Sequence, residues 1–210
     1  MSDKVWVSAA MSDSRLLTTL RADIFDSPNF QEVNQFLVKN EYGYPFSVEH
    51  FPKKIYWVGA GKKKKKLAPF FNTGLFYVSE ELANVLRQFD LGECGLYPVT
   101  LYEKDRKTVD DRTYFTINFG NRKRVFLPNE SPAARVGPLD TEEGETRRLP
   151  MVPDHDLIAV SPAALIGPDL WIDENLAVGI FVSGRLYDAL KAANLARVFG
   201  FKRCRIVVQA

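Results

Sequence analysis

The sequence predicts an α+β fold, mainly antiparallel sheet with packed helices. Three features predict it. A strand–serine–helix phrase occurs twice, with Leu75, Phe76, Tyr77, Val78, Ser79 and the helix-like residues 80–86 returning as Gly179, Ile180, Phe181, Val182, Ser183 and residues 184–190. Between the copies lie β-like runs punctuated by Asp and Gly turns. Helical periodicity is confined to short stretches, too few to cover the strands on their own.

In chain order, residues 4–9 alternate well enough for a first strand, and residues 14–20 read as a short helix. Residues 29–39 place Phe30, Val33, Leu37 and Val38 on one helical stripe. Residues 42–57 are dense in aromatic side chains, and Pro45 and Pro52 break them into extended pieces. Each copy of the repeat then follows one logic. Ser79 and Ser183 stand where the apolar run stops, so their hydroxyls can accept from an unpaired N–H of the first helical turn. The serines therefore read as caps, not nucleophiles. Leu82, Val85, Leu86 and Phe89 form the buried stripe of the first helix; Leu186, Ala189, Leu190 and Ala193 repeat it. Gly92 and Gly200 are the expected helix stops. The closing strands fall at residues 96–102 and 204–208.

From residue 96 to 127 the pattern predicts hairpins: a turn at Asp110 and Asp111, a strand over 114–119, a turn at Gly120 and Asn121, and a strand over 124–127. Residues 129–150, rich in Pro, Gly, Glu and Arg, read as an exposed loop or linker. Ser131-Pro132 and Ser161-Pro162 open two nearly identical phrases that suit very short helices. This gives three segments: residues 1–128 with the first copy, 129–150 as linker, and 151–210 with the second copy. The two copies are expected to share a core or a broad interface.

Of the 210 residues, 46% are hydrophobic and 26% charged, ordinary for a globular chain. The formal net charge is +2, and the lysine run over residues 62–66 more than accounts for it. A mildly acidic body with one basic knot does not match the broad basic face of a dedicated nucleic-acid binder. No apolar stretch is long enough to span a membrane. The opening residues lack a signal-peptide pattern, so a cytoplasmic location is expected. With that location, Cys94 and Cys204 are expected to be buried free thiols.

Chemistry-bearing patterns are sparse. Gly59-Ala60-Gly61-Lys62 fails the phosphate-loop pattern, because Tyr56 and Lys63 stand where glycine and a hydroxyl residue are required. Asp154-His155-Asp156 gathers three potential ligands, but neighbours in sequence cannot easily all face one ion, and it reads as a turn before a strand over 157–160. His50 reads as a partly buried histidine within the aromatic segment. No catalytic residue, cofactor or metal is expected. The residues suited to a partner are Tyr42, Tyr44 and Trp57 in the aromatic segment, Lys62, Lys63 and Lys64 in the basic knot, and Glu142, Glu143 and Glu145 in the acidic loop.

The phrases Tyr77-Val78-Ser79-x-x-Leu82-x-x-Val85-Leu86 and Gly179-Ile180-Phe181-Val182-Ser183-x-x-Leu186-x-x-Ala189-Leu190 resemble a unit of immunity proteins encoded beside bacterial polymorphic toxins, including those of type VI secretion systems. The entry Gly167-Pro168-Asp169-Leu170-Trp171-Ile172-Asp173 into a second unit resembles double-module members of that group. The resemblance covers mainly residues 70–128 and 167–208. It implies a bacterial, non-enzymatic inhibitor whose partner is a cognate toxin acting in the cytosol. It transfers no site residue. The alternative is a nucleic-acid-associated module using the lysine run.

Overall fold

A computed structural model describes residues 3–58, 67–141, 144–150 and 154–208. In chain order the first strands are β1 (Val5–Ser8) and β2 (Leu20–Ala22), followed by helix α1 (Phe30–Glu41) and β3 (Lys54–Trp57). The first repeat contributes β4 (Phe70–Asn72), β5 (Phe76–Ser79) and helix α2 (Glu80–Leu86). Then come β6 (Gly95–Tyr102), β7 (Val109–Asn118), β8 (Arg122–Lys123), β9 (Arg135–Thr141), β10 (Gly144–Arg148) and β11 (Ala159–Val160). The second repeat contributes β12 (Leu170–Asp173), β13 (Leu176–Ala177), β14 (Ile180–Ser183) and helix α3 (Gly184–Ala192), and the chain closes with β15 (Lys202–Arg203) and β16 (Arg205–Ile206).

The architecture is α+β, as the sequence predicts. A curled six-stranded sheet has the order β2-β3-β6-β7-β5-β4, and a five-stranded sheet the order β15-β1-β14-β12-β8. Each is antiparallel except at one pair, β3 with β6 in the first and β12 with β8 in the second. A small sheet β13-β10-β9 and the parallel pair β11 and β16 complete the strands.

The repeated strands lack polar alternation because both their faces are buried. Phe76 and Val78 of β5 point into a central core, while Tyr77 between them points to a separate core inside the curled sheet. Ile180 and Val182 of β14 likewise face the central core, and Phe181 faces a third core behind the five-stranded sheet. The preceding strands obey the same rule: Phe70 and Leu170 face the centre, Phe71 and Trp171 face away. The centre is thus a layer between two sheets, and it is filled by α2 and α3, which pack on each other.

The two copies match in detail. Ser79 Oγ accepts from Leu82 N at 3.3 Å, and Ser183 Oγ from Leu186 N at 3.2 Å. The backbone N–H of Ser79 donates to Pro69 O at 2.8 Å, and that of Ser183 to Asp169 O at 2.9 Å. The leucines of the helical stripes, Leu82, Leu86, Leu186 and Leu190, are buried in the one central core. The segments do not sit apart: β1, from the N-terminal end, lies between β14 and β15 in the sheet of the second copy.

Several local expectations are corrected. Residues 14–20 form only a 3-10 turn at Ser14–Leu16, after which the chain enters β2. In α1 the inward residues are Phe36 and Asn40, while Phe30 is 73% exposed and Val38 40%. Asn40 faces inward because its amide donates to Ile117 O and accepts from Phe119 N, pairing backbone groups at the end of β7. The Asp110 position is strand: its side chain is buried against Arg112, and the turn lies earlier. There Asp105 accepts from the N–H groups of Lys107 and Thr108 and from the Thr108 hydroxyl. These three bonds hold the Asp105 carboxyl well down, at about 2.

The strand expected over 124–127 does not form: β8 ends at Lys123, Phe126 makes a single bridge to Val160, and the Val125 and Phe126 N–H groups donate to buried Asp173. Residues 129–150 are not a bare linker. They carry the β9–β10 hairpin, β10 pairs in parallel with β13, and Ser131, Thr146 and Leu149 are buried. Ser131 caps no helix; its hydroxyl donates to Leu127 O and accepts from Ala159 N. Pro162 does open a short 3-10 turn. Asn194, with φ of 59°, follows the end of α3, so Gly200 is not its stop; α2 ends at Leu86, well before Gly92. The strand expected over 204–208 shortens to β16, and that expected over 157–160 to β11.

Candidate interaction surfaces

The aromatic segment begins where α1 stops. Gly43 N donates to Asn40 O and Tyr44 N to Lys39 O, the paired bonds of a Schellman helix ending. Gly43 supplies the left-handed residue, with φ of 78°, and a Cβ there would lie 2.8 Å from Asn121 O. The close approach requires glycine, and it brings Tyr44 beneath Arg122 of β8. The Arg122 guanidinium lies 3.9 Å from the centre of the Tyr44 ring, a cation–π stack at the edge of the five-stranded sheet. Tyr42 is half-buried, and burial raises its phenol, with a smaller push from neighbouring Glu41. The Glu41 carboxyl has no hydrogen-bond or ion-pair partner among the described residues, and burial pushes it up to about 7.

Tyr42 and Tyr44 are both half-buried where α1 ends, whereas Trp57 is removed from any surface. Trp57 is 3% exposed and packs in the core of the curled sheet with Leu20 and Leu101. Lys62, Lys63, Lys64, Glu142 and Glu143 lie outside the described residues, as does the whole glycine–lysine segment 59–66. Glu145 lies in β10, opposite Asp140 of β9. Arg122 is the functional candidate that sequence reading misses; the only signal for it is Gly43 at a helix end, which does not name its partner.

Concave sites among the described residues lie elsewhere. A cleft of about 420 Å³ is walled by the chain after β1 and the chain before β15, including Asp13, Arg15, Arg197, Phe199 and Lys202. A second, of about 380 Å³, has Asp169, Ser183 and Arg185 on one side and the exposed Leu165 and Ile166 on its lip. Asp169 is 1% exposed and fully engaged: it accepts from the Ser183 hydroxyl, from Arg185 and from Asp90 N. Lys123 donates to Ile166 O and Pro168 O and lies 3.7 Å from the Trp171 ring centre. Burial lowers it to about 8 against the pull of the Asp169 and Asp90 charges. These groups are spent on holding the entry to the second copy, and the Asp90 bond to Asp169 ties it to the first. Asn121 joins them too, donating to Leu91 O and Leu170 O and accepting from Glu93 N.

The titratable residues weighed from sequence are held structurally. His155 Nδ1 accepts from Arg203 N, Asp156 pairs with Arg203, and Asp156 takes a left-handed turn with φ of 62°. No group of three metal-ligating side chains is assembled among the described residues. His50 is exposed, within 3.2 Å of Ser47 Oγ and against the Phe46 ring. Cys94 and Cys204 are buried and free, and burial raises both thiols, Cys94 to about 12. No helix among the described residues is long and apolar enough to cross a membrane. No protein-family model matches the chain, and no curated protein matches it.

Proposed function

We propose that this chain is an immunity protein: a non-enzymatic inhibitor that binds a cognate bacterial toxin acting in the cytosol and blocks its active site or substrate entrance. The observation that carries the reading is the serine-capped strand–helix unit, present twice with the same cap and the same backbone bond, which is the feature that resembles such proteins. The apolar residues of both units are committed to the cores, so the reading assigns recognition to the parts that are not repeated. Among these, the Tyr42, Tyr44 and Arg122 surface has the chemistry of an interface anchor: rigid, partly desolvated aromatic and guanidinium groups that lose little entropy on binding.

The test is co-expression with the product of the adjacent gene, which the proposal expects to be a toxin. The protein is expected to co-purify with that product and to protect cells from it. Tyr44→Ala and Arg122→Ala, folded as judged by circular dichroism, are expected to lose protection together. A parent protein that neither binds nor protects ends the proposal. Protection left intact by both substitutions would move the interface to another surface.

A further inference from the structure

The cleft between the two ends of the chain has a composition that neither its fold nor the toxin reading uses. Its walls are fixed. Val7 of β1 pairs with Lys202 of β15, the Ser8 hydroxyl donates to Phe199 O at 2.5 Å, and Ala10 N donates back to that hydroxyl. A site held this way loses little freedom when it is filled. Its volume of about 420 Å³ falls in the range of small-molecule sites, roughly 300–1,000 Å³.

Its charge is unbalanced. Three cationic side chains, Arg15, Arg197 and Lys202, line it against one carboxylate, Asp13. That carboxylate is consumed by Arg15, whose Nε and Nη2 donate to it at 2.9 and 2.8 Å and keep it below the ordinary aspartate range. Arg197 and Lys202 have no hydrogen-bond or ion-pair partner among the described residues. Ser12 and Ser14 add hydroxyls, and Ala10, Val198 and Phe199 give the cleft an apolar side.

We propose that this cleft binds a small organic phosphate of about mononucleotide size. Arg197 and Lys202 hold the phosphate, and the apolar body lies along Val198 and Phe199. The guanidinium supplies the planar fork that phosphate oxygens fit, and the ammonium a second point charge. The proposal does not rest on the toxin reading and shares no residue with the Tyr44 and Arg122 surface.

Isothermal titration with AMP, ribose 5-phosphate, inorganic phosphate and adenosine tests it on the full chain. AMP is expected to bind with a Kd below about 1 mM, ribose 5-phosphate and inorganic phosphate more weakly, and adenosine not at all. Arg197→Ala and Lys202→Ala each are expected to weaken AMP by about tenfold, and the double variant to abolish binding. Arg197 is exposed and Lys202 half-buried, and neither belongs to a core, so the thermal midpoint in the absence of ligand should stay near the parent value, and Lys202→Arg should retain binding. No heat with AMP up to about 10 mM overturns the proposal. So does AMP binding that is matched by adenosine, or that survives the double substitution.

Discussion

Ser79 and Ser183 occupy equivalent positions yet differ in what a lost hydroxyl would expose. Ser79 serves α2 as a cap, whereas Ser183 caps α3 and also donates to the buried carboxylate of Asp169. Ser79→Ala is expected to cost about 1 kcal/mol. Ser183→Ala should cost about 2 kcal/mol, because a buried acceptor loses a partner as well. Urea unfolding measures both, and equal losses would show that the Asp169 bond adds nothing. Glu41 provides a second residue-level test. Its carboxyl is raised from an ordinary 4.5 to about 7 by burial. Between those values the folded chain holds a proton that the unfolded chain has released. Stability should therefore fall as pH rises through this window and level off above about 7. Glu41→Gln should flatten the dependence and gain on the order of 2 kcal/mol at pH 8. A parent protein whose urea midpoint is flat from pH 5 to 8 would contradict the assignment.

Elements were legible where a few neighbouring residues determine them. The two repeat serines mark helix starts from within one turn, and the structure places them there. What was not legible depends on distant partners. Asp110 looks like a turn residue until Arg112 and the β6–β7 pairing make it strand. Residues 129–150 look like solvent-facing chain until β10 finds β13 and Leu149 finds its core. The same limit hid Arg122, since Tyr44 meets it only through the Gly43 ending of α1 and the approach of that glycine to Asn121. Asp173 illustrates the strength of such long-range ties. It is buried, its carboxyl is raised by burial and pulled back by N–H groups of Val125, Phe126 and Asn175. Asp173→Ala is expected to cost about 3 kcal/mol or more, since two donors in the loop after β8 lose their acceptor away from water. Hydrogen exchange should quicken at Val125 and Phe126 first; unchanged protection there would mean that other contacts hold the loop.

At the scale of the molecule, the two copies of the unit face each other across one core, and the N-terminal strand completes the sheet of the second copy. Such a chain should unfold in one transition. Tryptophan fluorescence, reporting the core of the curled sheet through Trp57 and the core behind the five-stranded sheet through Trp171, and far-ultraviolet circular dichroism should give coincident urea curves. Two separated transitions would show that the copies fold as independent units. A rigid scaffold of this kind leaves its unrepeated surface free to carry recognition, which is the basis of the inhibitor proposal. The most direct test is calorimetric titration of the purified protein into the candidate toxin that the proposal expects beside its gene, with toxin activity followed in parallel. The account predicts a one-to-one complex with a Kd of about 10 nM or tighter and loss of activity at equivalence, weakened by at least about tenfold in Arg122→Ala. No complex at micromolar concentration, or a complex that leaves the toxin fully active, would contradict it.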